Sequence, residues 1–318
     1  MGSHMQLGDR IGRRLKLSDL HVLMTVVQAG SMSKAAALLN TGQSAISRSI
    51  AELERTVGVS LLERNSRGVE PTRYGRALLN GGMAVFDDLR QAMMNIEFLT
   101  DPTAGEVRLG SAPPLAASFV SAVIDRVSRR HPRIVFHLVT APTEGLHREL
   151  NERNVDFVIA ERFGSLADER LGFERLYDET YVVAAGAQNP WTRRRRIELA
   201  ELVKEPWVLA PPDSGIGSVA KEAFRTSGLD YPRVTVVTFP REVRLSLLAT
   251  GRFLTIVAAS VARFPTRRPE LKILPVTLPI ARVPHGIITL LNRPLSPVAR
   301  LFIEHAREVA KPLAKAKR

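Results

Sequence analysis

GSMSKAAALLNTGQSAISRSI, residues 30–50, is the stretch whose reading decides how the first hundred residues fold. Just upstream, Leu20, Leu23, Met24 and Val27 recur at i, i+3, i+4 and i+7, one face of a helix, and Gly30 supplies the stop. Ser31 or Ser33 can cap a second, short helix whose Ala36 and Leu39 point one way and which ends at Asn40. Thr41 can cap a third, in which Ile46, Ile50, Leu53 and Val57 form one buried stripe before Gly58 terminates it. Ala35, Ala36 and Ala37 are small enough for two helices to cross closely over a tight turn. With the isoleucine stripe turned to the core, Gly42, Gln43, Ser44, Ser47 and Arg48 face outward at the start of the third helix. Such side chains reach base edges and phosphates when a helix enters a major groove. The same composition also suits a plain solvated face.

The next segment, VSLLERNSRGVEPTRYGRALL (residues 59–79), reads as a β-hairpin wing: an extended run to Glu63, a turn at Asn65 to Gly68, and a second run ending at Pro71. Arg64, Arg67 and Arg73 are spread along it and can neutralise phosphates flanking a groove. Thr72 then caps a long helix reaching about Leu99. Its apolar residues Leu79, Met83, Phe86, Met93 and Ile96 make a stripe too long for one small winged domain to cover. A partner helix is the simplest cover, which implies dimerisation.

These motifs, GSMSKAAALL, QSAISRSIAELERTVGVSLLER and PTRYGRALL, resemble the LysR-type transcriptional regulators in both spacing and residue identity. The resemblance implies a recognition helix in the major groove, a wing on the adjacent backbone and a linker helix paired antiparallel with its mate. It makes Ser33, Gln43, Ser44, Ser47, Arg48, Arg64 and Arg73 the expected DNA contacts, with Arg67 added from the wing. Ser44 stands where the family often has proline, Gly42 where it often has a hydroxyl residue, and Leu62 where phenylalanine is usual. Gly42 removes one side-chain contact, so operator preference is expected to differ from that of typical members. Further expectations are a tetramer built from linker-helix dimers, a pseudo-palindromic operator in double-stranded DNA, a small-molecule effector and contact with RNA polymerase.

From Glu106 onward short β-rich runs alternate with helical stretches, the pattern of a parallel α/β sheet. EVRLGS, IVFHLV, VDFVIA, YVVAA, PWVLA, VTVVTF, FLTIV and GIITLL are the candidate strands. Helices are expected over 115–130, 143–152, 217–225 and 241–250 and at the end of the chain. Two sheets joined by crossovers near residues 182–186 and 280–286 would give two lobes around a cleft. This layout resembles the family's effector domain, which is built like a periplasmic binding protein. The predicted fold class is therefore α/β overall: an all-α winged helix-turn-helix over 17–71, a linker helix over 72–100 and an effector domain over 105–318. Its first lobe takes about 105–183 and 284–318, and its second about 184–283. MGSHM, residues 1–5, resembles a tag-cleavage scar.

Ligands of open parallel sheets sit at the carboxyl ends of strands, near helix N-termini whose free N–H groups favour anions. Ser111, Pro114, Thr140, Thr143, Glu161, Arg162, Ser214, Ile216, Thr238 and Phe239 occupy such positions and are the effector-site candidates. The family resemblance carries onto Ser111, Pro114, Thr143, Ser214, Ile216 and Phe239. A serine or threonine there can equally be a helix cap. Glu161 sits awkwardly with a purely anionic effector, and Arg162 beside it can pair with the glutamate or receive a carboxylate. A small carboxylate is the expected effector class, with no cofactor.

Composition narrows the alternatives. At 318 residues the chain exceeds one ordinary core, and its net charge of +13 favours polyanion partners. It has no cysteine, which excludes disulfides, thiol catalysis and thiolate metal sites. His21, His131, His137, His147, His285 and His305 lack metal-ligand spacing, so no metal is expected. GIGSVAK (residues 215–221) lacks the spacing of a phosphate loop, and Arg193 to Arg196 reads as a solvated loop or an anion contact. The closing KPLAKAKR reads as a frayed basic tail. An enzyme would need a catalytic constellation, and none is legible. A solute-binding module would need an export leader, and no charged-then-apolar segment or membrane span is seen, so the expected compartment is the cytoplasm. A ligand-responsive transcription factor accounts for every segment.

Overall fold

A computed structural model describes residues 14–65, 68–162, 168–262 and 271–315. The chain folds as two compact units, Met1–Ala92 and Met93–Arg318.

In the first unit, helix α1 (Leu17–Ala29) buries Leu20, Leu23 and Val26 and stops at Gly30, whose φ of 66° is left-handed. Helix α2 (Met32–Leu38) crosses it on Ala35 and Ala36, which are buried. Ala37 is exposed, because a third consecutive residue has turned off the contact face, so it takes no part in the crossing. The hydroxyls of Ser31 and Ser33 bond each other at 2.9 Å, and the N-cap residue Ser31 makes no side-chain capping bond. Helix α3 (Gln43–Val57) sets Ile46, Ile50 and Leu53 into the core and ends at Gly58, φ 85°. Its N-cap is Gly42 and not Thr41, because Gly42 is the residue whose carbonyl accepts the first helical N–H groups.

Strands β1 (Leu62–Asn65) and β2 (Gly68–Pro71) form the antiparallel wing, with Leu62 opposite Pro71 and Asn65 opposite Gly68. The Glu54 carboxylate accepts the backbone N–H groups of Leu61 and Leu62 at 2.7 and 3.2 Å, joining the end of α3 to the base of the wing. Thr72 caps helix α4 (Arg73–Thr100): its hydroxyl accepts the Gly75 N–H at 3.0 Å and donates to the Ser60 carbonyl at 2.8 Å. The apolar stripe of α4 divides. Leu79, Met83 and Phe86 are half-buried, Leu79 against the core of α1 to α3 and Phe86 beside His21. Val85, Leu89, Met93, Ile96 and Leu99 are exposed along the helix.

The second unit holds two five-stranded sheets. The first comprises β3 (Ala104–Ser111), β4 (Arg133–Thr140), β5 (Phe157–Glu161), β6 (Leu171–Glu179) and a returning strand, β12 (Val283–Leu290), in the order β4-β3-β5-β12-β6. The second comprises β7 (Tyr181–Gly186), β8 (Trp207–Leu209), β9 (Val234–Val237), β10 (Leu254–Ala258) and β11 (Leu271–Ile273), in the order β11-β7-β10-β8-β9. Neither sheet is purely parallel. β12 runs antiparallel to β5 and β6, and β7 runs antiparallel to β10 and β11, because each change of sheet sends the chain back against its neighbours. Residues 182–186 are therefore strand, and the first crossing is made at Thr180, between β6 and β7. β6 and β11 have no counterpart among the expected strands.

Helices cover both faces of each sheet. In the first, Phe157 and Ile159 face the core shared with helix α5 (Ser121–Arg130) and helix α9 (Pro297–Lys315). The intervening Val158 and Ala160 face helix α6 (Thr143–Asn151), through Leu146 and Leu150. In the second, Trp207 and Leu209 pack toward Phe224 of helix α7 (Gly215–Thr226), and Val208 toward Leu245 and Leu248 of helix α8 (Arg241–Ala249). Helix α9 continues through Lys315 with Leu313 against the first core, so residues 311–315 are helix, contrary to the frayed tail expected there. A π-helical turn, Ala116–Val120, leads into α5.

Candidate functional site

Two surfaces deserve the chemistry the sequence suggests. On the first unit, Gln43, Ser44 and Arg48 are exposed on α3 and Ser47 is half-buried, opposite the Ile46–Ile50–Leu53 stripe. Gly42 offers no side-chain oxygen, so the first-turn N–H groups of α3 have no side-chain cap. No acid stands in that turn. Uncapped N–H groups, hydroxyls and a guanidinium together make a surface suited to phosphate oxygens and base edges. Ser33 is exposed on α2. Arg73 is exposed at the start of α4, its guanidinium stacked 4.6 Å over the Tyr74 ring, which holds the charge extended. Arg67 and the side chain of Arg64 lie outside the described residues.

The wing is held to the helices by backbone contact. The Val69 N–H donates to the Gly30 carbonyl at 3.0 Å. At Gly68, φ is 130° and a Cβ would stand 2.5 Å from the Gly30 oxygen, so only glycine allows the approach.

On the second unit a cavity of about 600 Å³ opens at the carboxyl ends of the parallel strands of both sheets. Its wall takes the segment after β3 (Pro113, Pro114), the start of α6 (Thr143) and Glu161 at the end of β5. From the other sheet come Ser214 and Ile216 after β8, and Phe239, Arg241 and Arg244 after β9. Open α/β sheets bind ligands at this end of their strands.

Six of the ten candidates line this cavity: Pro114, Thr143, Glu161, Ser214, Ile216 and Phe239. Four do not. Ser111 is fully buried and its hydroxyl donates to the Ile159 carbonyl at 2.9 Å, bracing β3 against β5. Arg162 turns away and lies 4.5 Å over the Phe173 ring. Thr140 is exposed at the end of β4, and Thr238 donates its N–H to the Leu209 carbonyl at 2.9 Å, continuing the sheet. Ser214 is on the wall, but its hydroxyl already accepts the Gly217 N–H and donates to the Pro211 carbonyl.

Sequence reading missed Arg241 and Arg244. Both line the cavity and retain only 8% and 5% exposure. Burial and the neighbouring Arg241 guanidinium pull the Arg244 pKa below the ordinary arginine value. A signal existed: both stand at the start of a helix, where positive charge opposes the macrodipole and needs a compensating reason. Opposite them, burial and then the Glu144 charge raise the Glu161 carboxyl above its usual range. His285, also on the wall, is buried and stacked on Tyr177 at 5.2 Å between centroids, with Nδ1–H donating to the Val283 carbonyl at 3.0 Å. Burial lowers its pKa to about 4, so it is neutral near pH 7. The Glu179 carboxylate, at the crossing between sheets, accepts the Thr180 and Ser260 N–H groups at 3.1 and 3.2 Å.

The other features recede. Arg194 pairs with Glu201 at 3.1 Å and Arg196 lies 3.8 Å from Glu198 on an exposed turn. GIGSVAK forms the first turns of α7 under the Ser214 cap. Among the described residues no three His, Asp or Glu side chains gather as metal ligands, and no helix is long and apolar enough to cross a membrane.

Comparison with known proteins gives these surfaces their context. The model of the bacterial regulatory helix-turn-helix protein, lysR family, matches residues 17–76, and that of the LysR substrate binding domain matches residues 100–311. The chain is 27% identical to the HTH-type transcriptional regulator GbpR of Azospirillum brasilense, over 92% of this chain and 86% of that one. It is 24% identical to the HTH-type transcriptional regulator PcaQ of Agrobacterium fabrum, over 94% and 96% of the two chains. In fold it is similar to full-length OxyR from Pseudomonas aeruginosa, with TM-score 0.70, 18% identity and coverage of 96% and 99%. It is also similar to full-length CbnR solved with its target DNA, with TM-score 0.65, 21% identity and coverage of 93% and 100%. Two family models cover most of the chain and the relatives are named as regulators of transcription, not as enzymes; the protein belongs to the LysR family, as a DNA-binding regulator under effector control.

Proposed function

We propose that the N-terminal turn of α3 reads base edges in a major groove while Arg73 and the wing meet flanking phosphates. The carrying observation is the division of α3, with Ile46, Ile50 and Leu53 buried and Gln43, Ser44 and Arg48 exposed beside uncapped N–H groups. The DNA-bound state of CbnR supports this assignment. The exposed apolar row of α4 pairs with the same row of a second copy, giving a dimer, and two dimers associate through residues 105–318 into a tetramer. Two-fold pairing requires a pseudo-palindromic operator with half-sites one helical turn apart.

The cavity holds a small carboxylate effector, drawn by the buried Arg241 and Arg244. Its binding alters the packing of the two sheets about Thr180 and thereby the spacing and bend of the bound DNA, which changes engagement of RNA polymerase. A DNA partner implies the cytoplasm as the working compartment.

Selection of bound duplexes from a random-sequence pool by the full-length protein tests the DNA part. Enrichment of an inverted repeat is the expected result. Recovery of a direct repeat or of no motif would refute the two-fold arrangement.

A further inference from the structure

The charges of the cavity are sorted by depth as well as by sheet. Arg241 and Arg244 are buried in its wall on the second sheet's side, and half-buried Glu161 stands on the first. Its exposed rim carries only acids: Glu144, Asp213 and Glu242. Among the described residues Glu161 has no ion-pair partner, and the buried Arg244 Nε has no hydrogen-bond partner. A buried charge left unpaired is costly, and the natural remedy is a ligand that brings both counter-charges.

Each half of the lining excludes a simple ligand class. A cationic amine would be met by Glu161 but would set its charge against two buried guanidinium groups. A dicarboxylate, even with both anions on the guanidinium groups, would leave Glu161 without a counter-charge. The rest of the wall is apolar, from Pro113, Pro114, Leu115, Ile216, Phe239 and Ile256, and asks for a hydrocarbon body between the two polar ends.

We propose that the cavity takes an amphoteric monocarboxylate, its carboxylate on Arg244, its ammonium facing Glu161 and its apolar side chain against Ile216 and Phe239. The assignment rests on the reading of this cavity as the effector site and narrows the small carboxylate of that reading to an amino-acid-like molecule. Two opposed charges across the cleft also give the ligand a differential hold on the closed arrangement of the sheets, which is what a switching effector needs.

The test uses full-length protein, thermal shift and titration calorimetry, with ligands in matched sets. One set is phenylalanine, hydrocinnamate and phenethylamine; the other is leucine, isocaproate and isoamylamine; succinate and glutarate are added. An amino acid is expected to bind best in its set, about tenfold or more above its carboxylate counterpart. Glu161→Gln should erase that preference, and Arg244→Gln should weaken both the amino acid and its carboxylate counterpart. Equal or tighter binding of the plain carboxylate or of a dicarboxylate overturns the inference, as does an unchanged preference in Glu161→Gln or the absence of any binder. Ile216→Trp, which narrows the cavity where the apolar side chain would sit, separates the two readings. If it blocks a binder that is not amphoteric, the cavity remains the effector site and only the ligand class falls. If a binder is indifferent to both Ile216→Trp and Arg244→Gln, the cavity reading falls with it.

Discussion

Arg293 and Asp156 form an ion pair at 3.2 Å with side chains 1% and 0% exposed, tying the strand end before β5 to the loop after β12. Asp156 also accepts the Arg108 N–H at 3.0 Å, and Arg293 donates to the Val155 carbonyl at 2.5 Å. Removing one partner leaves a buried charge, so Asp156→Ala should lower stability by about 3–5 kcal/mol. Asp156→Leu combined with Arg293→Met should lose less than Asp156→Ala. Urea unfolding of the three proteins decides; equal losses would mean that the pair's charges are not what the site depends on.

Gly68→Ala places a Cβ 2.5 Å from the Gly30 carbonyl at a φ of 130°. The wing must then move off α1, breaking the Val69 to Gly30 hydrogen bond. Affinity for the selected operator should fall, by about 1–3 kcal/mol, while the melting temperature of the effector domain stays constant. Fluorescence anisotropy and calorimetry read the two quantities.

Buried His285 prefers to be neutral, with a pKa of about 4 against an ordinary 6.5. A folded-state pKa below the unfolded one means that protons favour the unfolded chain. His285 therefore has no effect on stability above about pH 6.5, and below it the protein loses stability progressively down to about pH 4. The loss from this group reaches about 3 kcal/mol. The Val283 hydrogen bond and then the Asp178 charge act against the shift, and the Tyr177 ring is stacked on the imidazole. His285→Gln should flatten the pH dependence of the melting temperature over this window and leave its value at pH 8 close to that of the parent.

The exposed row Val85, Leu89, Met93 and Ile96 predicts the behaviour of the assembly. Leu89→Glu puts a charge in the middle of the row and should weaken the dimer at least tenfold. Sedimentation velocity at micromolar concentration should show a shift to lower mass, and an unchanged mass would move the dimer contact off α4.

Local signals were legible where one residue type has one geometric use. Gly30 and Gly58 stop helices in left-handed conformations, Thr72 caps α4, and the Ile46–Ile50–Leu53 spacing turns α3. β5, β8 and β10 were visible as apolar runs because both their faces are buried. β6 was not, since LGFERLYDE mixes charges such as Glu174, paired with Arg307, into a strand at the edge of its sheet. Ser111 was misread because a buried hydroxyl bracing two strands and one facing a ligand are spelled alike. Arg241 and Arg244 were missed for the opposite reason: REVRLSLLA looks like a solvated helix until the cavity wall closes over it. The pairing of Glu54 with the wing's N–H groups likewise depends on a tertiary approach that spacing does not report.

In the proposed function α3 carries sequence recognition through its exposed N-terminal end. The most direct test is the affinity of Arg48→Ala for the selected operator and for a scrambled duplex, at matched salt. The expected result is a loss of about 1–3 kcal/mol on the operator, relaxed preference at one base position, and nearly unchanged scrambled binding. Arg73→Ala serves as the contrast, weakening both duplexes alike and reducing the salt slope by about 1. Operator binding by Arg48→Ala equal to that of the parent would contradict the groove assignment.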